Sequence, residues 1–240
     1  MERCFDSEIQ KARTYLMNMG TEAMRAVSLA TAGLFSRDVK QLEEVFKIEQ
    51  TVDRMNIAVD DQCLKLLALQ SPVAKDLRLV VAMIKTNADI ERIAYRALNL
   101  ARIGSDYLAG ETLPIDAHLA ALGSLASDRA RCALQSFMHL DHSLACSLVA
   151  GDTQVDEARD RMASEVMEYL KSNPENMEPG VNIILLARNF ERIADHATNI
   201  AENAIFAISG TDIRHHGMLA QKMPARLPSS DIKGTRPDFY

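Results

Sequence analysis

Two stretches decide the fold: MIKTNADIERIAYRALNLAR (83–102) and IILLARNFERIADHATNIAE (183–202). Glu91-Arg92-Ile93-Ala94 returns one hundred residues later as Glu191-Arg192-Ile193-Ala194, and the flanks keep matching. A fixed offset over a long helical segment marks an internal duplication, and a duplication shows which positions two copies share. The repeated unit is a helix that carries carboxylates. That points to a paired metal or cation surface more than to a single catalytic pocket.

Outward from these segments the chain divides into helices. Phe5, Ile9, Ala12, Leu16, Met19, Ala23, Ala26 and Ala30 recur by four and three, the stripe of one long helix. Gly33 and Ser36-Arg37-Asp38 end it, with Asp38 as N-cap of a second helix striped by Val45, Ile48, Val52, Met55, Val59, Cys63 and Leu66. Ser71-Pro72 breaks the chain and opens a third helix that runs to about Gly104. At an offset of 103 the plan repeats. Ile115, Leu119, Leu122, Ala126, Ala133 and Phe137 fall on first-helix positions, Asp141 falls on Asp38, and Val155 falls on Val52. Asn173-Pro174 and Glu178-Pro179-Gly180 separate the fifth and sixth helices.

The spacing predicts six helices of about 25–30 residues, roughly 40–45 Å each. The simplest packing is all-α: two pseudo-symmetric, antiparallel three-helix bundles. The expected units are residues 1–106 and 112–210, followed by a mobile tail over 211–240, where the periodicity dissolves. Gly20, Gly123 and Gly151 lie inside helical patterns and mark bends or close helix contacts.

Composition agrees with this plan: no Trp, 5% aromatic residues and a formal charge of −6. In residues 211–240 five basic side chains (Arg214, Lys222, Arg226, Lys233, Arg236) face three acidic ones, so the body is more acidic than the whole. Such a surface repels nucleic acid and suits a divalent cation. Cys4, Cys63, Cys132 and Cys146 form no CxxC pair, as expected of reduced thiols in a cytosolic protein. MERCFDSEIQ has no signal-peptide character, and no run reaches the ~18 apolar residues of a membrane span.

The chemistry lies in acids spaced i, i+4, which share a helix face. Glu49 and Asp53 stand on the second helix, Asp152 and Asp156 at the matching places of the fifth. Glu91 is followed by Tyr95; its counterpart Glu191 is followed by Asp195, His196 and Asn199. Such oxygens on neighbouring helices suit hard cations or iron. Against that, Glu191 points about 200° away from Ile193 on the helical wheel, so Glu191, Asp195 and Glu202 also read as a solvated face. No Glu has His three residues on, and there is no phosphate loop, HExxH or GxSxG. His139, Asp141 and His142 sit at an expected turn without a matched nucleophile. Ser71-Pro72-Val73-Ala74-Lys75-Asp76-Leu77-Arg78 is a helix start and a candidate docking corner.

CLKLLALQSPVAKDLRLVVAMIKTNADIERIAYRALNLAR (63–102) resembles the core signature of the PhoU family of phosphate transport regulators. GDTQVDEARDRM (151–162) and LLARNFERIADHATNIAENAIFAISG (185–210) are similar to its second repeat. The resemblance implies a dimeric, cytoplasmic negative regulator of the phosphate-starvation response. It would link the ATPase subunit of the phosphate ABC transporter to a sensor histidine kinase, with no nucleic acid partner and no membrane insertion. It also implies multinuclear iron or another divalent metal on acid-x-x-x-Asp motifs. Carried over, these are Glu49, Asp53, Glu91, Asp152, Asp156, Glu191 and Asp195, with Asn99 and Asn199 flanking and Asn199 included as a candidate ligand. Tyr95 stands where the family usually has Asp, and Arg96 stands opposite His196, which favours the second set. The rival expectation is a carboxylate-cluster bundle that stores metal or uses it enzymatically.

Overall fold

The computed structural model describes residues 4–110, 113, 116–151 and 153–213; of 4–6, 116 and 117 only the backbone is considered. Among them the chain is helical throughout: α1 (Cys4–Ser36), α2 (Val39–Gln70), α3 (Ala74–Leu108), α4 (Asp116–His139), α5 (His142–Ala150), α6 (Thr153–Ser172), a 3-10 turn (Pro174–Asn176) and α7 (Met177–Ser209). α1, α2 and α3 pack on one another, as do α4, α5–α6 and α7. The two bundles lie side by side, joined mainly by α3 against α7.

The stripes read from the sequence are the core. Leu16, Met19, Ala23, Val45, Val52 and Val59 in the first bundle, and Leu119, Ala126, Ala133, Phe137 and Val155 in the second, are buried. Phe190, Ile193, Ala197, Ile200 and Ala204 bury one full face of α7. Ile9 and Met55 are only partly buried at the edge, and the Phe5 side chain and Ile115 lie outside the described residues.

The turns repeat as closely as the cores. Arg37 and Leu140, 103 apart, both take left-handed backbone, φ 58° and 51°. The following amides, of Asp38 and Asp141, donate to the carbonyls of Gly33 and Ser136, both at 2.8 Å. Asp38 then accepts from the Lys40 amide and Asp141 from the Leu144 amide, each at 3.0 Å. Two carboxylate N-caps thus start corresponding helices.

Several expectations need correction. α1, α2, α3 and α7 have 33, 32, 35 and 33 residues, longer than the spacing suggested, because the stripes continue through weakly apolar turns. α3 runs past Gly104 to Leu108, since a residue without a side chain fits where Leu34 and Leu42 press on the helix. The fifth rod is two helices, broken at Gly151. Pro179 falls inside the first turn of α7, where no backbone donor is needed. Past the exposed residues 210–212, Ile213 is buried against the body; the rest of the expected tail, from 214 on, lies outside the described residues.

α3 and α7 run antiparallel. Asp89, early in α3, meets His196, Asn199 and Asn203, late in α7. Arg96 and Asn99, late in α3, share a groove with Arg188 and Asn189, early in α7. With repeat partners one hundred apart, the pseudo-two-fold axis passes by Ala94 and Ala194. Both alanines are buried, and small side chains let the two rods approach.

Candidate functional site

The first set of acids lies between α2 and α3. Glu49 is half-buried and Asp53 is exposed one turn on; Glu91 reaches towards them from α3. The Glu49 carboxyl is held above its ordinary range. Burial is the larger cause, Asp53 adds to it, Arg102 opposes it and Glu91 adds again. Glu49 thus feels the charge of two neighbouring carboxylates as well as its burial. Glu91 pairs with Arg92 of its own helix at 3.4 Å. Arg102 spreads over the Phe46 ring at 5.6 Å.

The second set is arranged differently. Glu191 is mostly buried and paired with Arg159 of α6 at 3.1 Å; Arg159 also holds Asp160 at 2.8 Å. Asp195 is paired with Arg192 at 2.9 Å and turns into the α3–α7 groove beside Arg96. Asn199 donates to Asp89 across the bundle interface at 3.1 Å. Asp156 is half-buried in the first turn of α6. Asp152 lies outside the described residues.

Among the described residues no three His, Cys, Asp or Glu side chains converge on a metal-holding cluster. The donor chemistry nonetheless separates the halves. In the second, fixed guanidiniums already supply positive charge to Glu191 and Asp195, so these residues do not fit a metal as they stand. In the first, the charges of Asp53 and Glu91 disfavour ionised Glu49, and Arg102 opposes them.

Sequence reasoning missed three residues. Asp89 ties the bundles together through His196 Nδ1 at 3.1 Å, Asn199 at 3.1 Å and Asn203 at 3.3 Å. A carboxylate only accepts, so His196 carries its proton on Nδ1. Arg129 of α4 is buried and donates to the carbonyls of Leu148 and Gly151, both at 2.9 Å, and to Thr198 at 3.0 Å. It clamps the open end of α5 where the rod breaks. Arg159 is the third. Comparing the repeats position by position would have flagged all three: Asn189 stands for Asp89, Ala26 for Arg129 and Asn56 for Arg159.

Comparison with known proteins agrees with this architecture. A PhoU domain model matches residues 16–104 and 119–204. The chain is 32% identical over 219 residues to the phosphate-specific transport system accessory protein PhoU homolog of Pseudomonas aeruginosa, covering 91% of this chain and 90% of that protein. It is 30% identical over 229 residues to the homolog of the same name from Pseudomonas putida, covering 95% and 89%. The crystal structure of PhoU from Pseudomonas aeruginosa superposes with a TM-score of 0.84 at 31% identity, over 86% of this chain and all of that one. Two copies of the family's domain, in the family's fold and over nearly its full length, leave one assignment: the chain belongs to the PhoU family.

Proposed function

We propose that the chain is a cytoplasmic adaptor that represses the response to phosphate scarcity. It contacts the ATPase subunit of the phosphate ABC transporter and a phosphate-sensing histidine kinase, and acts as a homodimer. The carrying observation is membership of a family whose relatives are accessory proteins of phosphate-specific transport. No described helix is long and apolar enough to cross a membrane, so reaching a transporter through its ATPase fits the chain. The corner between α2 and α3 supplies a surface of suitable kind: Leu69 and Val73 are 76% and 73% exposed, with Leu77 beside them. An apolar corner flanked by Lys75 and Arg78 suits a protein partner. The coupling requires that each transporter state contact the adaptor differently.

The reading has no catalytic step. Glu191 and Asp195 are neutralised by arginines, and burial, with a smaller push from Asp60, drives the Cys63 thiol up to about 12, where it is no nucleophile. A bound divalent cation, iron among them, would serve as charge compensation for Glu49, Asp53 and Glu91. Elemental analysis of the purified protein beside a Glu49→Gln, Asp53→Asn variant tests that part; equal metal content in both contradicts it.

Deleting the gene and measuring alkaline phosphatase in phosphate-rich medium tests the regulatory reading. Raised enzyme is expected, and Val73→Glu should reproduce it while the protein stays folded. Enzyme that stays repressed after the deletion contradicts the reading.

A further inference from the structure

The pseudo-two-fold axis between α3 and α7 relates two grooves with different contents. On one side Asp89 collects three donors, His196, Asn199 and Asn203. The same positions on the other side hold Asn189 in place of Asp89, and Arg96, Asn99 and Ile103 in place of the three donors. Asn189 is buried and its amide donates to the Leu185 carbonyl at 2.8 Å, within its own helix. The internal acceptor is gone, and one of its donors has become a permanent cation.

The second groove is correspondingly rich in donors. Arg96, Arg188 and Arg192 line it with Asn99 and Asn189, and it extends to His196 and Asn199, around a cavity of about 700 Å³. One carboxylate faces it, Asp195, which is engaged by Arg192. Arg96 and Arg188 reach no carboxylate among the described residues. Arg96 Nε is shielded from solvent and has no hydrogen-bond partner, although Arg96 lies over Tyr95 at 5.8 Å. A guanidinium so placed lacks the acceptor that its counterpart, His196, finds in Asp89.

We infer that this groove binds a phosphate-class oxyanion in the place that Asp89 fills on the opposite side. Planar guanidiniums suit two oxygens of one phosphoryl group, and the carboxamides can donate to a third. The cavity is larger than one phosphate needs, so linear oligophosphates fit as well as the monomer. No Phe, Tyr or Trp lines it, and its one ring, His196, is held by Asp89, which leaves no broad platform for a base. The inference rests on donor and acceptor balance and stands apart from the adaptor role, which the reporter assay above tests separately.

The test is calorimetric titration of the full chain with inorganic phosphate, tripolyphosphate and ATP at fixed ionic strength. Saturable binding of phosphate or tripolyphosphate is expected, with ATP no tighter than tripolyphosphate. Arg96→Gln and the exposed Arg188→Gln should each weaken it by about tenfold or more, and Arg96→Lys should recover part of the loss. Asn189→Asp writes into this groove the carboxylate of the other one. It should abolish binding, with circular dichroism confirming that the helices remain. Absence of saturable binding by phosphate and tripolyphosphate overturns the inference. So does affinity undiminished in both Asn189→Asp and Arg188→Gln, or ATP binding tighter than its phosphate chain alone.

Discussion

The two bundles share a skeleton and differ in how they handle charge. In the first, Ala26, Ile48 and Leu98 are buried apolar side chains and α2 runs unbroken. At the matching places the second has Arg129, Gly151 and Thr198, and the rod breaks there. Gly151 has little preference for helix, and Arg129 donates to the carbonyls of Leu148 and Gly151 at the break. The same divergence reaches the acids: Arg159 neutralises Glu191, whereas Asn56, at its place in α2, leaves Glu91 to Arg92. A duplicated core tolerates opposite electrostatic solutions because apolar stripes fix the packing and leave the flanking positions free to change.

Breaking the clamp should have the largest effect. Arg129→Ala removes a charged donor from the Leu148 and Gly151 carbonyls and from the Thr198 hydroxyl, so the second bundle should lose about 3 kcal/mol. Hydrogen exchange would show α5 and α6 opening before α1 and α2. Equal protection in both halves would break the comparison. Next come the paired glycines. A Cβ on Gly123 would lie 2.9 Å from the Phe190 ring, while one on Gly20 meets only the tip of Leu134 at 3.3 Å. Gly123→Ala should therefore cost about 1–3 kcal/mol in thermal melts. Gly20→Ala should be close to neutral, since the better helix propensity of alanine offsets a slight shift of Leu134. The turns supply the control. Asp38→Ala and Asp141→Ala each remove a cap bond of the same length and should each cost about 1 kcal/mol, with Asp38→Ala also losing the Gln41 side-chain bond.

The skeleton was legible because its signals are periodic and local. Alternation by four and three gave the buried faces, Asp before an apolar stripe gave both caps, and the offset copies gave the pairing of halves. The helix break was half legible: Gly151 was marked, but its partner Arg129 lies 22 residues away on another rod and belongs to no stripe. Spacing named the acids as candidates on shared helix faces. Their environment was not legible, because a guanidinium arrives from a different helix and sequence spacing does not report which helix neighbours which. Asp89 was hidden for the same reason: its three partners lie more than a hundred residues away.

Glu49 of the first bundle loses by ionising, through burial and its acidic neighbours, whereas Glu191 of the second is paired with Arg159. Thermal melts of Glu49→Gln and Glu191→Gln between pH 4 and pH 8 separate the two cases. Glu49 holds its proton more tightly in the folded protein than in the unfolded chain. Its ionisation therefore subtracts stability as pH rises through the carboxyl range, and that cost is absent below the range. Glu49→Gln should raise the melting temperature at neutral pH and leave it unchanged at the acid end. Glu191→Gln removes the pair with Arg159 and should lower it by the equivalent of about 1 kcal/mol at neutral pH. Opposite signs at pH 7 are the predicted result; two losses of similar size would contradict the claim.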